Sequence, residues 1–337
     1  MSDSATRSDG SDGSDGAGSR FDVDRVLIGG VRILAGLLWL ANLHWKVPPD
    51  FGERSGGGLY KYPASVMRHS PFAPFTWVVE EIILPNFGLF GWMTMFVELG
   101  LAMLLLVGYR TRWVALVGAA MTVPILLSTI YYDGADEWSW AYFMMIGLHL
   151  LLFATAAGRS FGLDGVLAAR RPARSARALL ATGAVAVVVG VVGLYVARNV
   201  GFSGSRVALL GSDAGFTNAD GNLVRRWELK LVWFNPLWAL LTISFGAALI
   251  VGARSRIAGW LVAGGFGVMA VVVLVLETFD YVRDDGSVQV IATSPNAAMW
   301  GAFAVVAGLL TRSLSNASSR PGRDDDADLS DPVAAAS

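Results

Sequence analysis

The chain has 337 residues, 54% of them hydrophobic and only 16% charged, with a formal net charge of −1. Soluble globular chains carry nearer 25% charged residues, so most of this one is built for solvation by lipid, and its near-neutral charge offers nothing to attract nucleic acid. Cysteine is absent, which excludes disulfides, thiol redox chemistry, iron–sulfur clusters and cysteine zinc sites.

Residues 1–25 are polar and include three Ser-Asp-Gly repeats between Ser8 and Gly16, a composition that predicts a disordered tail. Apolar segments follow, of the length that spans a hydrocarbon slab of about 30 Å. They are Leu27–Trp45, Phe87–Val107, Trp113–Tyr131, Trp138–Ala157, Ala178–Ala197, Phe234–Val251, Ile257–Leu276 and Ile291–Leu310, the last interrupted at its start by Ser294 and Pro295. Backbone groups in lipid must pair within their own segment, so each is expected to be a helix. The predicted class is an all-α membrane protein of eight transmembrane helices in two tandem four-helix bundles, residues 26–165 and 175–312. Residues 313–337, with Asp324-Asp325-Asp326, read as a second disordered tail.

Arginines gather in the turn after the second span (Arg110, Arg112), after the fourth (Arg159, Arg170, Arg171, Arg174, Arg177) and after the sixth (Arg254, Arg256). The opposite connections carry mainly acids, so both termini are expected in the cytoplasm of a cell-membrane protein. The two long connections, near 46–86 and 198–233, then face outward. In the first, Thr76–Pro85 reads as a short helix on the membrane surface, stopped by Pro85. Small β hairpins are expected around Asn218–Gly221 and at the Asp285-Gly286 turn.

The halves read as a duplication. Leu105–Arg112 aligns with Leu249–Arg256 at an offset of 144, although a Gly-x-Arg-x-Arg turn is also what the positive-inside rule alone produces. Thr242 stands where the first half has Glu98, and no histidine follows His149. The second half keeps the helices and loses the ionisable groups.

Glu98 and His149 both fall roughly 14–15 Å into their spans at ~1.5 Å per residue. Ionisable groups at that depth are costly and commonly functional. One reading makes them a proton-exchanging pair for a quinone headgroup, with Met145 and Tyr142, one and two turns before His149, lining the slot. The other makes Glu98 a protonated acid bonded to Thr94 or the backbone, and His149 a satisfied core residue. Arg32, some five residues into the first span, either snorkels to the interface or offers charge to Glu98 or Asp164. On the outer side His44, Lys46 and Arg68 either gather to hold a small oxyanion or are scattered charges of a solvated loop. The three histidines show no metal-site spacing, and His44 and His149 lie too far apart in depth to hold a haem.

Several of these residues also form a pattern. Arg32, Lys46-Val47-Pro48-Pro49, Pro85-Asn86-Phe87-Gly88, Trp92, Glu98, Gly108–Arg112 and Gly158–Asp164 together resemble the DoxX/DoxD family over about residues 25–165. The likeness is strongest to the DoxD-type small subunit of thiosulfate:quinone oxidoreductase. It implies oxidation of two thiosulfates to tetrathionate with electrons passed to quinone, the outer cations receiving the anion, Glu98 with His149 serving the quinone, and a partner subunit. Residues 175–337 depart from it and look like a degenerate copy of the same four helices. A non-catalytic scaffold that recruits a redox partner, and a small-molecule or ion permease, are the rival functions.

Overall fold

The computed structural model describes residues 23–43, 45–130, 139–199, 235–253, 255–276 and 294–318, with the backbone of six short strands between them. The helices in chain order are α1 (Val23–Ala41), α2 (Lys61–His69), α3 (Ala73–Val78), α4 (Phe87–Val107), α5 (Thr111–Thr129) and α6 (Ser139–Thr155). After them come α7 (Leu163–Ala168), α8 (Pro172–Val196), α9 (Pro236–Val251), α10 (Arg256–Leu276) and α11 (Ser294–Ser318). Among the described residues, five helices are long and apolar enough to cross a membrane, and α6 and α9 are shorter apolar helices. Their outward faces carry exposed large side chains, such as Leu89, Met93 and Phe96 on α4 and Val185, Val188 and Val191 on α8. In water such surfaces would aggregate; in a multi-pass membrane protein they meet acyl chains.

In the first half α1 packs on α4 and α5 on α6, and contacts of α1 with α6 and of α4 with α5 close the ring. That order puts α4 and α6 on a diagonal. The second half pairs α8 with α9 and α10 with α11, and α11 also packs against α8. The halves meet chiefly where α11 lies along α4.

Small residues let the second half pack closely. A Cβ added at Gly246 would come within 2.8 Å of both the Gly183 carbonyl oxygen and the Val187 amide nitrogen. Backbone meets backbone there, the usual device where lipid offers no hydrophobic drive between helices. Gly246→Val should cost about 1–3 kcal/mol by overpacking, read as a lower thermal midpoint in detergent; an unchanged midpoint would show the contact to be slack.

Two expectations are corrected. The helix expected over Thr76–Pro85 is not a separate surface piece. Instead α3 passes through a π-helical turn at Val79–Ile83 and a 3₁₀ turn at Leu84–Asn86 straight into α4. Pro85 is accommodated because it sits at the start of that 3₁₀ turn, and the Asn86 side chain donates to the Ile82 carbonyl at 2.9 Å. At ~1.5 Å per residue the stretch Ala73–Val107 is longer than the slab, so its beginning extends beyond the hydrocarbon. Secondly, α1 ends at Ala41 rather than Trp45, and Asn42, Leu43 and Trp45 lie in turns.

The strands pair antiparallel: β1 (Val207–Ala208) with β4 (Trp233–Phe234), β2 (Phe216–Thr217) with β3 (Leu223–Val224), and β5 (Thr278–Val282) with β6 (Val288–Ala292). The turns expected at 218–221 and 285–286 lie outside the described residues, as do residues 1–22 and 319–337 of the expected tails; the rest of those tails is helical, since α1 begins at Val23 and α11 continues to Ser318.

Candidate functional site

The early end of α1 decides what Glu98 meets. Because the chain turns after Ala41, Lys46 folds back along α1, and its ammonium lies 2.6 Å from Glu98 Oε2, both side chains about 1% exposed. The same ammonium donates to the Asn42 carbonyl at 2.8 Å and sits 4.1 Å above the Trp45 ring. Asn42 completes the cluster. Its amide reaches Glu98 Oε1 at 3.4 Å, and its side-chain oxygen accepts the Trp45 indole at 2.9 Å. A lone carboxylate or ammonium in this setting would be very costly; paired and hydrogen-bonded, the two are tolerated.

A cavity of about 210 Å³ lies against this cluster. Asn42, Lys46 and Glu98 are part of its polar lining, together with Thr94 from α4. Its apolar walls come from Phe75, Val79 and Ile83 of the α3 stretch, Phe90 of α4, and Met121 and Ile125 of α5. Tyr62 of α2, Ser128 of α5 and Tyr142 of α6 also face it. Ser65 on α2 donates to the Ser128 carbonyl at 3.2 Å, which ties α2 to α5 beside the cavity. The arrangement suits a flat, mostly apolar guest with a polar group at one end.

The expected Glu98–His149 couple is not assembled, because α4 and α6 stand across the diagonal with α1 reaching both. His149 Nε2 accepts the Trp39 indole at 2.9 Å, and Nδ1 bonds the Met145 carbonyl at 2.7 Å. With a donor on one ring nitrogen and an acceptor on the other, the imidazole is held neutral with its proton on Nδ1. It packs so tightly on α5 that a Cβ at Gly118 would overlap the ring. Neither His149 nor Met145 lines the cavity; Tyr142 does.

Arg32 lies elsewhere again, buried at 1% exposure. Its guanidinium donates to the carbonyls of Leu105, Leu106 (2.8 Å) and Phe161 (3.2 Å), capping the end of α4. Asp164 secures the next helix, accepting the Arg110 and Thr111 amides at 2.7 and 3.0 Å. Gly108 makes the turn possible by adopting φ 68°, and Gly252, its counterpart by offset, has φ −93°, so the two turns differ in backbone. Of the outer cations, Lys46 is buried in the ion pair, Arg68 is exposed on α2, and His44 lies outside the described residues. No cluster of three His, Asp or Glu side chains with metal-binding geometry occurs among the described residues.

Asn42 was not singled out by the sequence. A polar residue four before Lys46 at the end of an apolar helix was the available signal. In the second half Thr242 accepts the Trp300 indole at 3.1 Å and donates to the Trp238 carbonyl at 2.7 Å.

Residues 23–187 match the family model described as TQO small subunit DoxD. The match begins with α1 and runs into α8, beyond the stretch 25–165 that the motifs marked. Searches among curated proteins and among solved structures gave no match.

Proposed function

From a DoxD-family domain over residues 23–187, we propose that this chain is a membrane subunit of a quinone-linked oxidoreductase of the thiosulfate:quinone kind, with the quinone ring received in the cavity at Lys46 and Glu98. One observation carries the reading: a buried acid–base pair lines a cavity whose other walls are mostly apolar. A quinone has the matching character, being a flat neutral ring with a carbonyl at its edge. Its reduction to quinol takes up two electrons and two protons. Oxidation of two thiosulfates to tetrathionate, the reaction of the related enzyme, releases two electrons.

Lys46 uses two of its three N–H groups on Asn42 and Glu98, which leaves one for a carbonyl oxygen of the guest. As electrons arrive, that oxygen gains basicity and draws one proton from Nζ; Glu98, a carboxylate in the ion pair, has none to give, so a donor outside the pair supplies the second proton and reprotonates the lysine. His149 takes no part, since both ring nitrogens are engaged and neither faces the cavity. A small subunit works beside a larger one, so a partner chain belongs to this proposal.

The same reading takes α1, α4, α5, α6 and α8–α11 as eight crossings in two tandem bundles that arose by duplication. Exposed arginines on one side of the bundle, Arg110, Arg112, Arg159, Arg170, Arg171 and Arg174, support placing that side in the cytoplasm and α2 with α3 outside the cell membrane.

Thiosulfate-driven quinone reduction in membranes containing the variants tests the proposal. Glu98→Gln should lower turnover by about 10²-fold or more, the usual worth of a positioned proton-transfer group. His149→Ala should leave turnover per folded molecule near the parental value. Parental rates in Glu98→Gln would end the catalytic reading.

A further inference from the structure

The turn that carries Asn42, Trp45 and Lys46 is held from the far half of the chain. Ser294, the first residue of α11, is 2% exposed and donates its hydroxyl to the Leu43 carbonyl at 3.1 Å. That carbonyl also accepts the Lys46 amide at 3.3 Å. Leu43 itself is fully buried. Carbonyls freed at a helix end inside a membrane have no water to bond, so each partner the protein supplies removes conformational freedom from the turn. From Ser294 onward α11 runs against α4, the helix of Glu98, and touches α1. One helix of the second half therefore contacts both elements that bring the ion pair together.

We propose that Ser294 is a positioning residue, and that the second half, through α11, sets the geometry of the Lys46–Glu98 pair in the first. The inference takes over from the preceding section the view that this pair is the working one. It also gives the second half a task that the loss of its own ionisable groups does not reveal. A four-helix domain alone would leave the Leu43 carbonyl without its hydroxyl partner, and would loosen the hold on Asn42, Trp45 and Lys46 that keeps the ammonium at Glu98.

The chain has three lysines, Lys46, Lys61 and Lys230, so labelling with an amine-reactive ester, followed by peptide mass measurement, reads Lys46 individually. Lys61 on α2 serves as the internal reference. In the purified full-length protein, Ser294→Ala should raise the labelling rate of Lys46 roughly fivefold, the worth of one buried hydrogen bond, with Lys61 unchanged. Ser294→Thr keeps the hydroxyl and should restore the parental rate, which a mere change of volume would not do.

Equal Lys46 rates in parent and Ser294→Ala overturn the inference. So does equal acceleration at Lys46 and Lys61, which reports general loosening. Should the alanine variant not fold, Ser294→Cys, a weaker donor of similar size, replaces it. Its rate is expected between the parental value and that fivefold increase, and a parental rate refutes the role. Turnover measured on the same variants keeps the two proposals apart. Faster labelling with unchanged quinone reduction removes the working pair but leaves Ser294 as the element that holds the turn.

Discussion

Glu98→Gln should lower unfolding stability by about 3–5 kcal/mol, the penalty for leaving one member of a buried ion pair without its partner. The Lys46 ammonium would then face an amide in a place with 1% exposure, beside an apolar cavity. Lys46→Met should cost a similar amount, because it strands the carboxylate. The combination Glu98→Leu with Lys46→Met is expected to recover most of the loss, since well-packed apolar replacements of buried ion pairs are commonly neutral or stabilising. Unfolding of these proteins in detergent, together with the single variant Glu98→Leu, completes the cycle. The double variant is the informative member: it should be as stable as the parent yet fail to reduce quinone. Were it stable and fully active, the pair would be a packing device. Were Glu98→Gln as stable as the parent, the ion pair would not exist in the folded protein.

Arg32→Ala should be nearly as damaging, by a different route. Hydrogen bonds from a charged donor are worth roughly 1.5–3 kcal/mol each, and Arg32 makes three to carbonyls at the end of α4 and at Phe161. A total loss of ~3 kcal/mol or more is expected once neighbouring groups relax. Arg32→Lys should not rescue it, because an ammonium lacks the planar fork that reaches several carbonyls at once. The folded fraction should keep its turnover, since Leu105 lies about two turns along α4 from Glu98. Thermal unfolding and turnover per folded molecule check this together. A stable but inactive Arg32→Ala would return Arg32 to the chemistry.

The two residues show where reading the chain by itself runs out. Both were marked because a charge in an apolar span demands a reason. Burial of Glu98 was legible from depth alone. Its partner was not, because Lys46 reads as an interfacial anchor whenever α1 is extended to Trp45. Ending the helix four residues sooner lets the lysine ammonium reach Glu98 at 2.6 Å, and the one local stop signal, Asn42 just after Ala41, is weak inside an otherwise apolar run. Arg32 likewise found carbonyls instead of a carboxylate, because the αL turn at Gly108 and the segment at Phe161 converge on it.

What the amino-acid order made legible unaided was where most of the apolar helices lie and the likeness of the first half to DoxD, whose model matches residues 23–187. α4 occupies Phe87–Val107 as expected, and α10 differs by one residue from its predicted start, because hydrocarbon thickness dictates length and lipid forbids unpaired backbone. Only the tertiary structure decided who meets whom. Ring order placed α4 and α6 on a diagonal and so separated Glu98 from His149; the turn after Ala41 delivered Lys46; and α11 supplied Ser294, 251 residues from Leu43. The physical reason is one of range. Spans are specified by local hydrophobicity, whereas a buried charge is satisfied by whichever polar atom packing brings within 3 Å, and that atom can come from anywhere in the chain.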